Sequence, residues 1–320
     1  MTSRAIQVRL SLPALVPLLV LAAAIAFPFA AIPLGGEYYV SLATRIMIYA
    51  LAASSLNLVL GYGGMISFGH AAFFGTGAYA VAILAKEGMV SGLVAWPLAI
   101  AVSVLCALAI GAVCLRTRGL YFIMITLAFA QMLYYFFVSL RTYGGEDGIN
   151  LAARSRLPGL DLADSAVFYL VVLALMAGCH YLLRRLAASR FGAVMRGIRE
   201  NEARMTALGY PTYRYRLVCF TIAGGIAGLA GALIANQHGF VSPNLLHWTQ
   251  SGTLLIMVIL GGVGLLYGGV AGAVAMLLLE EILSSWTEYW KLGLGLVLLF
   301  VVLRAPGGIG GWFVRKEGRG

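Results

Sequence analysis

Glu200, Asn201 and Glu202 sit within a run of eight arginines between Arg184 and Arg216, "RRLAASRFGAVMRGIRENEARMTALGYPTYRYR", in a chain otherwise dominated by apolar residues. Arginine and carboxylate at this density suit charge-assisted hydrogen bonding and docking. They do not suit covalent chemistry, because no HExxH, nucleophile elbow or His–Asp cluster occurs anywhere in the sequence. The other polar groups that could act on a solute stand singly inside apolar runs: Asn57, Ser67, His70 (beside Phe68) and Gln131. Each could make an interhelical hydrogen bond, worth about 0.6–2 kcal/mol in a membrane, or touch a passing solute. The interhelical role is the more common. His70 reads as a local hydrogen-bonding residue rather than a proton relay, since no intramembrane acid accompanies it. The four cysteines, Cys106, Cys114, Cys179 and Cys219, lie in apolar stretches without CxxC or metal-type spacing and read as small hydrophobes. None of the three lysines, Lys86, Lys291 and Lys316, ends a G-x-x-x-x-G-K-[ST] loop, so no phosphate cradle of that kind is present.

The elements that hold these groups must live in lipid. The 320 residues are 61% hydrophobic and only 11% charged, with a mean hydropathy of +0.92; a soluble domain carries about 25% charged residues. Apolar runs of membrane-crossing length fall at 12–32, 42–60, 66–85, 92–115, 120–140, 165–183, 217–237, 252–266, 269–283 and 291–304. Several later runs are short, so eight spans with two re-entrant segments is the alternative count. The first run exceeds a signal-peptide core of about 7–15 residues and reads as a retained span. Ten spans threaded with the N-terminus inside place sixteen of the 22 basic residues on the cytoplasmic side, among them Arg4, Arg9, Arg116, Arg118, Arg304, Arg315, Lys316 and Arg319. Only Glu200, Glu202 and Glu317 of the acids fall there. That asymmetry supports the orientation and an even span number. It also explains the net charge of +10 without nucleic acid, which is not expected as a partner. The fold expected is an all-α polytopic membrane protein of about ten transmembrane helices (eight to ten), with cytoplasmic termini and a single transmembrane domain over 1–320.

Within the polar insert, Phe191, Val194, Met195, Ile198, Met205 and Leu208 recur at helical spacing. Ser189 is placed to cap the start, and Gly209 with Pro211 to stop the end. One amphipathic helix of four or five turns is expected in a cytoplasmic loop at 184–216. Its stripe suits either anionic lipid or a groove on another protein. Two glycine-dense segments, Gly61–Gly77 and the stretch from Gly261, align Gly61, Gly64 and Gly69 on Gly261, Gly264 and Gly269. Tight helix packing accounts for them more readily than an internal repeat. Arg141 to Asp164 reads as an irregular outer loop.

Several stretches carry a family resemblance in the right order. "SSLNLVLGYGGMISFGHAAFFGTGAYAVAIL" from Ser54, "GGEDGI" from Gly144, "RFGAVMRGIRENEARMTALGYPTYRYRLVCFTIAGGIAGLAGAL" from Arg190 and "MVILGGVGLLYGGVAGA" from Met257 resemble LivM-type permeases, membrane subunits of ATP-driven branched-chain amino-acid importers. The resemblance runs from about Arg45 to Pro306. It implies a coupling helix seated in a groove of an ATPase subunit, carried here by Arg196, Arg199, Glu200, Asn201, Glu202, Ala203, Leu208 and Gly209. The Glu-Ala…Gly spacing is one residue longer than in the general importer pattern. It further implies two cytoplasmic ATPase subunits that bind the ATP, no cofactor in this chain, a second homologous permease, a periplasmic or extracellular substrate-binding protein, and a place in the bacterial inner membrane. Asn57, Ser67, Phe68, His70 and Gln131 are the candidate translocation path. Urea and short-amide permeases resemble this family too, so the solute stays open between amino acids and amides. An ion-coupled carrier is the more distant alternative; it would need buried carboxylates or broken helices at mid-membrane.

Overall fold

A computed structural model describes residues 12–304 and 307–311; Arg4, Arg9, Arg315, Lys316, Glu317 and Arg319 lie outside the described residues. Each of the ten apolar runs carries a helix. These are α1 (Leu12–Ala31), α2 (Glu37–Asn57), α3 (His70–Lys86), α4 (Gly92–Cys114), α5 (Leu120–Ser139), α6 (Ser165–Ala188), α9 (Thr212–His238), α10 (Trp248–Gly261), α11 (Gly268–Trp286) and α12 (Trp290–Arg304). The polar insert holds α7 (Arg190–Glu200) and α8 (Glu202–Ala207). Apolar runs become helices because hydrocarbon offers no partner for an open N–H or C=O. Among the described residues, six helices are long and apolar enough to cross a bilayer: α2 with its continuation to Tyr62, α4, α5, α6, α9 and α11.

Glycine sets the centre. Along α9, Gly224, Gly228 and Gly231 leave the backbone bare, and α3 and α4 close on it from two sides. A Cβ on Gly231 would stand 1.8 Å from the Phe74 carbonyl oxygen, and one on Gly228 would stand 2.2 Å from Ser103 Oγ. A second pair forms the same way, with Gly272 of α11 against the Met257 carbonyl of α10 at 1.7 Å for a built Cβ. Small residues let backbones approach closely, which is how helices gain contact when lipid is as apolar as their side chains.

Two of the ten segments are broken. Before α3, residues 63–69 are not helical, and α2 ends in a π turn over Leu58–Tyr62. Before α10, the stretch Phe240–His247 contains a two-residue strand and a 3₁₀ turn, Pro243–Leu246. It does not stay at the surface: Leu246 Cγ packs 2.3 Å from where a Cβ on Gly75 would sit, well inside α3. The helix that follows starts at Trp248, before the run expected over 252–266, and stops at Gly261, short of that run's end. The two breaks meet: Ala71 N–H donates to Ser251 Oγ at 2.8 Å, and the Phe68 and Trp248 rings lie 6.5 Å apart. From that level α10 has ten residues left to its end, about 15 Å. Irregular backbone at such depth persists only when protein surrounds it.

The loop after α5 is more ordered than its composition suggests. Ile149 and Asn150 pair antiparallel with Val241 and Phe240, and Asn236 Oδ1 accepts from Ser155 N–H at 2.7 Å. Tyr143 OH donates to Glu87 at 3.2 Å, and that carboxylate pushes its phenol above the usual tyrosine range.

Candidate functional site

The insert is two helices rather than one. Ser189 caps α7 as expected, its Oγ accepting from Gly192 N–H at 3.4 Å. Asn201 then breaks the helix, with φ −157° and ψ 96°, and its side chain caps α8 by accepting from Arg204 N–H at 2.9 Å. Asparagine competes for local backbone donors, and that preference wins over the apolar periodicity. The stop at Gly209 is as read: φ is +86°, Gly209 N–H donates to Thr206 O at 2.9 Å and Tyr210 N–H to Met205 O at 3.1 Å. That pair of bonds is a Schellman motif.

The apolar stripe faces inward. Val194, Met195 and Ile198 are buried, and Phe191 stacks on Tyr215 at 5.6 Å. Along α7 the stripe is therefore covered by the chain's own helices, and only its far end at Leu208 stays open. What remains outward is Arg196, Arg199, Glu200, Asn201, Ala203 and the end of α8, where Leu208 is 67% exposed.

Three contacts clasp this loop to the helix ends beneath it. Arg199 Nη1 donates to the Gly61 carbonyl; its Cγ would meet a Cβ on Gly64 at 2.9 Å and its Nη1 one on Gly264 at 3.2 Å. Glu202 accepts from Arg216 Nη1 at 3.2 Å and pairs with Arg118 at 3.3 Å, while Arg216 Nε reaches Met65 Sδ at 3.3 Å. Asn57 completes the seam. Its Oδ1 accepts from Gly264 N–H at 2.9 Å and its Nδ2 donates to Leu265 O at 2.6 Å. Its amide thus carries out the interhelical role. The aligned glycines also resolve physically: Gly61 and Gly264 touch, a Cβ on the first standing 2.5 Å from the nitrogen of the second, and Gly64 and Gly264 share positive φ at +66° and +82°.

Of the remaining path candidates, Ser67, Phe68 and His70 lie at the break before α3. Ser67 Oγ accepts from Gly69 N–H at 3.2 Å, Phe68 N–H donates to Thr126 Oγ1 at 3.3 Å, and His70 Nε2 lies 2.8 Å from Ser55 Oγ. Ser67 and His70 are fully buried, and Phe68 is half-buried. Gln131, on α5 between Thr126 and Tyr134, has a buried Oε1 without a partner among the described residues. Sequence reading missed Trp248, His247 and Tyr134, whose rings pack edge-on or tilted at this junction, and it missed Arg118 and Arg216 as the partners of Glu202. Trp248 lies just before a short run, and shortness was the one signal of a break; Arg118 and Arg216 carried no signal beyond their cytoplasmic side.

A family model described as the permease component of the branched-chain amino acid transport system matches residues 38–303. The chain is 31% identical over 310 residues to the high-affinity branched-chain amino acid transport permease LivM of Salmonella typhimurium, covering 89% of this chain and 72% of that protein. Against LivM of Escherichia coli the identity is 30%, with 92% and 74% covered. It is also 24% identical to LivH of Salmonella typhimurium, over 82% of this chain and 90% of that one. No solved structure matches.

Proposed function

This chain belongs to the family of branched-chain amino acid transport permease components, and on that premise we propose that it forms the membrane path of an importer for branched-chain or other hydrophobic amino acids, energised by separate ATPase subunits. The match over residues 38–303 carries the reading. Its place is the bacterial inner membrane. There α1, α3, α10 and α12 join the six long helices to make ten crossings, α3 and α10 each completed by irregular chain. The clasped α7–α8 loop and the glycine turns then lie on the cytoplasmic side with most of the arginines.

In this reading two ATPases bind the ATP and grip the outward side of the loop, chiefly α8 with Leu208 and Gly209 and the neighbouring Arg196, Glu200 and Ala203. The clasp explains why a loop can act as a lever: α8 is only six residues long, yet Asn201 caps it, a Schellman motif ends it and Glu202 ties it to α4–α5 and α9. Closing of the ATPases would carry the loop and change the side to which the cavity opens. The similarity to both LivM and LivH supports pairing with a homologous permease. A binding protein would deliver the solute to the opposite end, and Ser67, Phe68 and His70 at the break before α3, with Gln131 on α5, would line its passage.

An alternative solute is urea or a short amide. Reconstitution with copurified partners and ATP-dependent uptake of labelled leucine against urea decides it: leucine uptake is expected, and uptake of urea alone overturns the assignment. The broken helices also fit an ion-coupled carrier. However, Glu280 and Glu281 lie toward the outer end of α11, with Glu280 3.3 Å from Arg45, and not at the breaks. Uptake that survives ATPase inactivation but collapses with the proton gradient would favour the carrier.

A further inference from the structure

We infer that Arg199 is a positioning residue that joins the ATPase-facing loop to both glycine hairpins at once, α2–α3 and α10–α11, and so transmits loop motion to the junction of the two breaks at Phe68 and Trp248. This rests on the function proposed above. Arg199 extends from the last turn of α7. Its aliphatic stem crosses Gly64 and its Nη1 reaches the Gly61 carbonyl and the edge of Gly264. Gly61 and Gly64 lie in the turn leading to α3, and Gly264 in the turn leading to α11. One guanidinium therefore sits where the two hairpins touch. Lysine lacks the planar fork that could hold a carbonyl and still pack flat on a neighbouring glycine.

The route onward is short and stiff. From Gly64 the chain runs without a helix to Gly69, where Phe68 meets Trp248. From the other turn, α10 runs back from Gly261 to Trp248, so both hairpins arrive at the same ring pair from the same end. Asn57 bonds the two turns to each other, which makes them move as one body. The second clasp, Glu202–Arg216, anchors α8 to α9 and the Met65 sulfur but does not reach the α10–α11 turn. Arg199 is distinguished by touching both hairpins. At this position arginine meets backbone rather than carboxylate, so its role is geometric.

The test uses the reconstituted complex with its ATPases. Arg199→Gln should keep the ATPases bound through purification. The maximal rate of uptake should fall about tenfold or more, the size of a typical coupling between sites, at unchanged half-saturation by loaded binding protein. Arg199→Lys should recover only part of that rate. For a reporter cysteine, Gly252→Cys, the Cβ would stand 4.0 Å from Phe68 Cε1, with no nearer neighbour among the described residues. Its alkylation rate should change between nucleotide-free and vanadate-trapped states with Arg199 present and become state-independent with Gln. Uptake within twofold of wild type, or state-dependent alkylation retained in Arg199→Gln, would overturn the inference. So would loss of the ATPases from that variant, which would make Arg199 a docking contact. If the wild-type chain itself held no ATPase, the function proposed above would fail instead.

Discussion

The two ends of the bundle join the same helices by different means. At the loop end, α2 meets the α10–α11 turn through backbone: glycine against glycine, an asparagine amide on a peptide group, an arginine on a carbonyl. At the opposite end, α2 meets α9 and α11 through long side chains. Arg45 pairs with Glu280 at 3.3 Å, Tyr38 bonds Glu281, and Gln237 donates to Ser41 Oγ at 2.7 Å. Backbone contacts fix distance and orientation and leave little slack; partly exposed ion pairs stretch, re-form and share their charges with water. The difference assigns rigidity to the end that must pass on force and tolerance to the end where a solute would enter.

Substitutions can break this contrast. The largest effect belongs to Gly61→Ala, whose methyl would stand 2.5 Å from both Asn57 Oδ1 and Gly264 N, where backbone cannot give way. With backbone on the far side, an overpacking cost of about 3 kcal/mol or more is expected, read as a lower melting temperature and reduced yield of folded protein in detergent. Next is Glu202→Gln. Glu202 and Arg216 are 21% and 10% exposed, and removing the carboxylate leaves a nearly buried guanidinium without its counter-charge. A charged hydrogen bond of this kind contributes about 1.5–3 kcal/mol. The loss should appear as protease cutting within 190–210 while the membrane helices stay intact.

Gly209→Val tests backbone alone, because among the described residues nothing lies within 4 Å of a Cβ there while φ is +86°. A strained φ costs about 1–3 kcal/mol, enough to unwind α8 and lower ATPase binding. Gly209→Asn should retain most binding, since asparagine tolerates this conformation. The smallest effect is expected at the far end. The side chains of Arg45 and Glu280 are 34% and 25% exposed, so Arg45→Gln should cost about 0–1 kcal/mol in the melting curve. A loss at Arg45 as large as that at Gly61 would erase the contrast.

Much of this was legible in the sequence because lipid leaves few choices. The ten apolar runs became ten helices, Ser189 and Gly209 capped where their chemistry predicts, and Asn57 took the interhelical role common for a neutral polar residue in a span. What was not legible came from local competition and from long-range pairing. Asn201 split the expected single helix because its side chain caps as readily as it propagates. The stripe around Met195 could have faced lipid, a partner or the chain itself, and helical spacing is the same in all three cases. The short run before α11 hinted at a break. Only the fold shows that Phe240–His247 turns inward to meet the irregular chain at Phe68. Partners such as Arg216 for Glu202, fourteen residues apart across a turn, have no pattern to read.

The most direct measurement is photocrosslinking from a reactive residue at position 208, whose leucine is 67% exposed at the end of α8. In membranes containing the whole importer, the account predicts an adduct with an ATPase subunit, strengthened when nucleotide is bound. Adducts with phospholipid alone, or labelling by a reagent confined to the outside of the cell, would contradict it.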